Sequence, residues 1–600
     1  MNAIHTFHIP VMGIGYTIDT PLKVAQYGIN SVISLVDDIL LEKLRKMHSQ
    51  TFKISYEEIT DKMEDYRAKR ITSYLNLMHD LVGKKFEALK QVSADTMEVL
   101  QTYINMLPEH SCLKEDFKKL TSGDYGFNEI KKWVNENLRA GSIDVNIMTK
   151  VDKDNYVKNE KLPVEYNDAH AALRGFANSK LNASVVLSAG LNPKLYSYIA
   201  EFEDFFPDEN GVFKKRIILK VSDYRSALIQ GKFLAKKGLW VSEFRIESGL
   251  NCGGHAFATD GYLLGPVLAE FKEKRAELTN TLKELVQQEF ANLNRKFPEN
   301  LSIKLSAQGG VGTQEEHDFL LKEYDLDSIG WGTPFLLVPE ATVVDEKTMN
   351  KLINAKEDDL YLSNISPLGV PFNNLRNNTK DLERDVLISR GRPGSSCPKK
   401  YVELNKEFKD KGICTASREY QHLKIKELDT KNLSAEAYQT AYNQIIEKSC
   451  ICVGLGTSAM LTYNLDTKLE GEGVSICPGP NMAYYSKIMT LKNITDHIYG
   501  RDNMITRTDR PHMFIKELSL YMEYLRNKLE SFKKDMNKKD EKYLLTFSSN
   551  LNEGILYYKH LFQKANAFNG MKEMVFNELD KNTKALHAIN SEIQNVAVLN

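Results

Sequence analysis

Short apolar runs alternate with amphipathic stretches along the first 345 residues. FHIPVMGIG (7–15) leads into TPLKVAQYG (20–28), and INSVISLV (29–36) is apolar again. SIDVNIMT (142–149), NASVVLSAG (182–190), KKRIILKVS (214–222), LWVSEFRIES (239–248), LSIKLSAQGG (301–310) and LDSIGWGTPFLL (326–337) repeat the theme. Several lead directly into helical patterns such as YRSALIQGKFLAKKG and TQEEHDFLLKEY. An apolar strand, a turn and an amphipathic helix at this spacing predict parallel βα units. The runs are β-branched and nearly continuous in hydrophobicity, as strands buried on both faces must be. Seven or eight units fit a closed (β/α)8 TIM barrel of the α/β class better than an open sheet.

Two long helical patterns interrupt this series. Residues 39–138 are rich in Lys, Glu, Leu and Tyr at helical spacing, and are too long for an ordinary connection. They predict an inserted helical subdomain, with a lid as one reading. Residues 261–297 form a second extended helix pattern. After residue 345 the texture changes. Turn-rich stretches such as SNISPLGVPFNN, RGRPGSSCPKK and SICPGPNMAYYS fill 346–510, and 511–600 is strongly helical. The expected organisation is a barrel over 1–38 and 139–345, a helical insertion over 39–138, a cysteine-containing domain over 346–510 and a helical unit over 511–600. The last two form a C-terminal α+β/helical extension.

Composition narrows the classes. A net charge of −1 gives no bulk attraction to nucleic acid or an anionic membrane. No apolar run approaches the ~20 residues of a membrane helix. The opening MNAIHTFHIPVMGIGYT lacks a basic region followed by an apolar run, so no secretory signal is expected. Seven cysteines, an odd number in a long chain, read as reduced thiols in a cytoplasm rather than as a disulfide scaffold. Neither a nucleic-acid nor a membrane partner is expected; a homo-oligomer stays open.

Two glycine-rich stretches carry candidate chemistry. SAQGGVGTQEEHDFL places Gly309, Gly310 and Gly312 after a strand and at the mouth of a helix, and SIGWGTPFLL places Gly332 and Thr333 after the next strand. Amides at a helix start with no Cβ in the way form an anion site, and barrels often hold a phosphate between the loops after strands 7 and 8. The alternative is a pair of tight turns that bind nothing. ESGLNCGGHAFATDG (247–261) also follows an apolar strand. There Gly253 and Gly254 permit close approach by a planar ligand, and His255 could act as general acid or base, or merely bond a backbone carbonyl.

Taken in order, these residues resemble the nitronate monooxygenase (2-nitropropane dioxygenase-like) group of FMN-dependent TIM barrels; trans-acting enoyl reductases of fatty-acid and polyketide synthesis are similar. The matching motifs are IPVMGIGYTIDTPLKVAQYGINSVIS, DVNIM, IILKVS, NCGGH, GGVG and WGT, over about residues 5–38 and 140–340. The resemblance implies FMN over the C-terminal rim. Its phosphate would meet amides near Gly310, Gly312, Gly332 and Thr333, with Gly309 beside them. Met12 and Gly13 would approach the ring system, with Gly253 and Gly254. Asn146 and Lys220 would bond the ring or ribityl chain, and His255 would move a proton on a carbon acid or enoyl-type substrate. There are departures. Asn251–Cys252 replaces Glu-Ala before the glycines, and Pro334 replaces the usual Arg after Gly-Thr.

Cys397, Cys414, Cys450, Cys452 and Cys477 form a second constellation. Four thiolates can bind zinc or hold an iron–sulfur cluster, but no CxxC pair exists, and buried reduced cysteines are the alternative. Two further functional readings stand beside the small-molecule flavoenzyme: an enoyl reductase acting on a carrier-bound acyl chain, and a non-catalytic barrel serving as a scaffold for protein partners.

Overall fold

The computed structural model describes residues 4–123, 126–208, 210–251, 260–505, 507–534, 537–565 and 567–598. Eight strands close into a barrel: β1 (Phe7–Ile9), β2 (Asn30–Ser34), β3 (Ile143–Ile147), β4 (Ala183–Leu187), β5 (Lys215–Val221), β6 (Val241–Glu247), β7 (Lys304–Gln308) and β8 (Ser328–Gly330). Each pairs in parallel with the next in sequence, and β8 returns to β1 through Ile329–Phe7 and Gly330–His8. This is the (β/α)8 TIM barrel that the hydrophobic pattern predicts. Period-2 alternation explains its two faces. Val145, Ile147, Ile217 and Leu219 join the main core under the helices, whereas Val11, Val32, Val186 and Ile218 form a separate small cluster. Polar pairs accompany that cluster: His8 Nδ1 lies 2.8 Å from Ser328 Oγ, and Arg245 pairs with Glu243 at 2.9 Å. Short βα turns end in capping residues. Asn192, Asp223 and Thr313 each accept an amide of the helix they open.

The insertion is helical, as its pattern predicts, but it is not placed as a lid. Helices Asp38–Thr51 and Tyr66–Lys90 lie in the barrel's outer layer, where Thr72 Oγ1 donates to the Gly175 carbonyl at 2.9 Å. Helices Ala94–Met106, Cys112–Ser122 and Phe127–Asn137 share a core of their own around Leu100, Tyr103, Phe117 and Val134. That core docks on Ile4, Tyr27 and Ala140, which precede β1, β2 and β3. The unit therefore sits at the N-terminal end of the barrel, opposite the rim where βα loops gather. The reason is its apolar face, which matches the strand entrances rather than the loops.

The C-terminal extension covers that rim instead. It shares one continuous hydrophobic core with the barrel, so 346–510 and 511–600 do not fold around cores of their own. It contains an antiparallel hairpin (Leu360–Ser363 with Phe372–Leu375) and helices including Ile451–Thr462, Met513–Phe532 and Lys538–Lys564. Gly15 N donates to Leu455 O at 2.9 Å, and Tyr16 Oη donates to Ser475 O at 2.7 Å. A Cβ on Gly15 would lie 3.2 Å from the Gly456 backbone, so only glycine allows this approach without adjustment. No single helix among the described residues is long and apolar enough to cross a membrane. The bent pair Ala435–Ile446 and Ile451–Thr462 passes on length and composition together, yet its second helix is buried from Ile451 to Met460 inside the protein.

A buried ion pair fastens extension to barrel. Asp37, just after β2, caps the next helix through the Leu40 amide (2.9 Å), receives Tyr401 Oη at 2.8 Å and pairs with Lys399. Burial would raise the Asp37 carboxyl; the Lys399 ammonium outweighs it and holds Asp37 below the ordinary carboxylate range. Lys399 also lies 3.4 Å from Glu470, and none of these three side chains is exposed. Lys399→Met leaves Asp37 buried beside no cation. We expect it to lower unfolding stability by about 3–5 kcal/mol in urea at pH 7. A midpoint unchanged from native would show that this pair does not tie the halves together.

Candidate functional site

Every described residue singled out in the sequence lies at one end of the barrel. Asn146 is the penultimate residue of β3 and Lys220 of β5; Met12 follows β1, Gly309–Gly312 follow β7, and Gly332–Thr333 follow β8. Gly253, Gly254 and His255 lie outside the described residues. The strand leading to them, β6, ends at Glu247 on the same rim, and Asn251 is still there.

Glu247 organises the rim between β5 and β7. Its Oε1 accepts from Lys220 Nζ at 3.1 Å, Gln308 Nε2 at 2.7 Å and Asn251 Nδ2 at 2.6 Å. Sequence reading missed Glu247, although its place at the end of β6 was the available signal. Asn146 Nδ2 donates to Val186 O at 3.0 Å, which leaves its carbonyl oxygen as an acceptor. Next to this network lie two buried polar atoms that face one another, Gln308 Oε1 and His8 Nε2, with no hydrogen bond of good geometry among the described residues. Gly330 fits between them: a Cβ there would fall 3.0 Å from His8 Nε2 and 3.4 Å from Gln308 Oε1. Burial, reinforced by Arg245, pushes His8 well below the ordinary imidazole range, so it is neutral at pH 7.

The glycine loops show what their bare Cα atoms are for. Gly309 and Gly310 have φ of +105° and +89°, a region open to glycine. A Cβ on Gly310 would lie 2.7 Å from Leu250 Cδ1, and one on Gly312 2.6 Å from the Arg510 guanidinium. The room is thus taken by the chain's own Leu250 and Arg510. Gly312 N already donates to Glu316 Oε2 at 2.8 Å. By contrast, the amides of Gly310, Val311, Gly332 and Thr333 donate to no group among the described residues. Thr333 Oγ1 donates to Pro478 O at 2.7 Å and Asn481 Nδ2 to Gly310 O at 2.6 Å, so one short segment of the extension bridges both loops. At Gly13 (φ +56°) a Cβ would fall 2.9 Å from the Tyr16 ring and 3.3 Å from Leu455. The Met12 amide donates to Thr17 Oγ1 at 3.3 Å.

Glu316 and Arg510 form the charged centre behind the loops. Arg510 donates to both carboxylate oxygens at 2.8 and 2.9 Å and to Gly310 O at 2.9 Å, and Met513 N adds a bond to Glu316 at 2.8 Å. Burial would raise the Glu316 carboxyl, but Arg510 outweighs it and holds Glu316 below the ordinary range. An anion at these amides therefore meets a neutralised carboxylate. The residues fit the terminal phosphate of FMN in this sense: four amides on adjacent loops that donate to nothing among the described residues. Unpaired buried amides are costly unless something accepts from them.

The cysteines give a different outcome from the metal reading. Cys397, Cys414, Cys450, Cys452 and Cys477 are all buried. Cys397 lies next to Cys414 and Cys450, and Cys450 next to Cys452, so these four thiols are neighbours in the fold. Among the described residues no three His, Cys, Asp or Glu side chains are arranged to hold a metal ion, so the geometry does not support the zinc or iron–sulfur reading of these thiols. A separate cavity of 780 Å³ lies among Val344, Thr379, Leu382, Leu461 and Gly473, and no predicted site residue lines it.

Comparison with protein-family models gives no match, and comparison with curated proteins gives none. Solved structures to which the chain is similar include three enzymes. One is the enoyl reductase domain of MlnA from the macrolactin biosynthesis cluster of Bacillus amyloliquefaciens (14% identity, 68% of this chain and 90% of that chain, TM-score 0.33). Another is FabK from Thermotoga maritima (14% identity, 88% and 97%, TM-score 0.34). The third is nitroalkane oxidase from Streptomyces ansochromogenes (13% identity, 56% and 79%, TM-score 0.24). TM-scores of this size leave the reading of the site to its own geometry.

Arg510→Met strips Glu316 of its cation while Glu316 stays 2% exposed. We expect a loss of about 3–5 kcal/mol at pH 7 by chemical denaturation. The sign with pH follows from linkage. The native Glu316 pKa lies below its unfolded value of 4.5, so its stabilisation is present above 4.5 and fades as pH falls through the folded value. Without Arg510 the folded pKa rises above 4.5, and the variant's deficit shrinks toward pH 4. A deficit constant between pH 7 and 4 would show that the charge pair is not its cause.

Proposed function

We propose that this protein is an FMN-dependent oxidoreductase acting on a carbon acid or an enoyl-type substrate. The observation that carries the reading is the set of unpaired amides at Gly310, Val311, Gly332 and Thr333, on adjacent loops at the C-terminal rim of a (β/α)8 barrel. Such a set suits a phosphate by hydrogen bonding and by the partial positive charge of helix starts. The ordered motifs that resemble the nitronate monooxygenase group support flavin as the phosphate's bearer.

FMN, when bound, supplies two-electron chemistry that no side chain provides. The chain's own residues do the rest. The four amides hold the phosphate, and Gly309 lets the loop turn beneath it. Asn146, whose Nδ2 is held by Val186 O, and Gln308 would offer carbonyl oxygens as acceptors to the bound flavin. Lys220 brings a cation to that face, held in place by Glu247, where it favours the extra negative charge of the reduced ring. His255 is the proposed acid/base, exchanging a proton with carbon next to an electron-withdrawing group. The extension keeps water from the rim through Leu455, Pro478 and Asn481.

Two measurements test this. FMN is expected to bind at least about a hundredfold tighter than riboflavin, because two or more charge-assisted amide bonds depend on the phosphate. Purified protein that is colourless and binds neither would overturn the proposal. His255→Ala is expected to lower turnover by about 10²–10⁴-fold with FMN affinity unchanged, whereas Lys220→Met should weaken binding of reduced FMN more than oxidised. Full turnover in the His255 variant would remove that residue from the chemistry.

A further inference from the structure

We propose that Glu517 is a positioning residue for the connection between β6 and helix Leu264–Asn292, acting on its described ends 248–251 and 260–264: reaching in from the helix Met513–Phe532, its carboxylate grips both feet at once. The inference rests on the reading above, in which this connection carries His255 to the flavin. Ser248 Oγ donates to Glu517 Oε1 at 2.7 Å, and the Leu264 amide donates to Oε2 at 2.8 Å. The Gly249 amide and the Tyr558 hydroxyl lie beside this carboxylate and favour its ionised form. One buried group thus joins the end of β6 to the start of helix Leu264–Asn292, across all the residues between.

The feet are fitted to the C-terminal helices as well as bonded to them. A Cβ on Gly249 would fall 2.6 Å from Tyr521 Cε1, and one on Gly261 2.5 Å from Phe547 O. Gly265 is packed equally hard on Tyr558, whose hydroxyl accepts from the Gly265 amide at 3.1 Å. Packing alone would need only an apolar side chain at 517. A carboxylate in this position is costly, since burial pushes it up to about 7 against the neighbouring donors that favour the anion. Its presence is explained by the Leu264 amide and the Ser248 hydroxyl, which have no other acceptor among the described residues.

Hydrogen exchange read by mass spectrometry on the full chain, with peptides spanning Gly249 and Leu264, decides between grip and packing. Glu517→Met keeps size and apolarity but removes every acceptor, and exchange at these amides is expected to rise about tenfold or more. Glu517→Gln retains an acceptor and should restore most of the protection. Native-like protection in the Met variant, or equal loss in Met and Gln, overturns the proposal. Should the Met variant not fold, Glu517→Asp serves: one methylene shorter, it cannot span both feet, and protection kept in it overturns the proposal equally. On the same samples loaded with FMN, the visible circular dichroism of the bound flavin should change in the Met and Asp variants and stay native-like in Gln. Failure to bind FMN would sink the flavin reading, while the exchange data would still decide the grip.

Discussion

Glu316 lies buried at the mouth of the barrel, at the first turn of the helix after β7. A carboxylate there without a cation would cost several kcal/mol, and nothing within the barrel motifs supplies one. The arginine that meets it is Arg510, almost two hundred residues further along the chain, which in the same position bonds the Gly310 carbonyl. The barrel's rim is therefore incomplete until the C-terminal extension is in place. Asp37 with Lys399, and Glu517 with Ser248 and Leu264, repeat the same logic at other points of the rim. Extension and barrel share one hydrophobic core because these polar ties fix how the apolar faces meet.

That constraint shapes the candidate site. The loops after β7 and β8 are crowded by Leu250, Arg510 and the Pro478–Asn481 segment, yet four of their amides have no acceptor among the described residues. Crowding and unpaired donors together describe a cradle whose walls are set by the extension and whose binding groups come from the barrel. Where the resemblance leads one to look for an arginine after Gly-Thr, the chain has Pro334, and the arginine at this rim is Arg510 instead. At the β5–β6–β7 face, Lys220 and Glu247 neutralise one another, so charge is brought to the rim without leaving an isolated buried ion.

The helical insertion shows how the same kind of pattern can mislead about place. Residues 39–138 read as amphipathic helices and are helices. Their apolar stripe, however, includes Tyr103 and Leu100, which match Ile4, Tyr27 and Ala140 at the strand entrances. An amphipathic stripe states that a face will be buried; it does not say against what. The cysteines make a similar point. Their clustering in 346–510 is visible in the chain, but whether thiols surround one centre or only neighbour one another depends on backbone paths that no spacing encodes.

The chain by itself determined the barrel, because strand and helix periodicity and capping residues such as Asp223 and Thr313 act over a few positions. It also marked the rim positions Met12, Asn146, Lys220, Gly310 and Thr333, since the carboxyl ends of parallel strands and the loops that follow them gather at one end of any such barrel. Only the tertiary structure decided which of the glycine amides stay unpaired, that Glu247 anchors Lys220, and that Arg510 and Glu517 belong to the rim at all. Those contacts join residues separated by up to several hundred positions, and their partners are chosen by packing and by the need to pair buried charge, neither of which leaves a local trace.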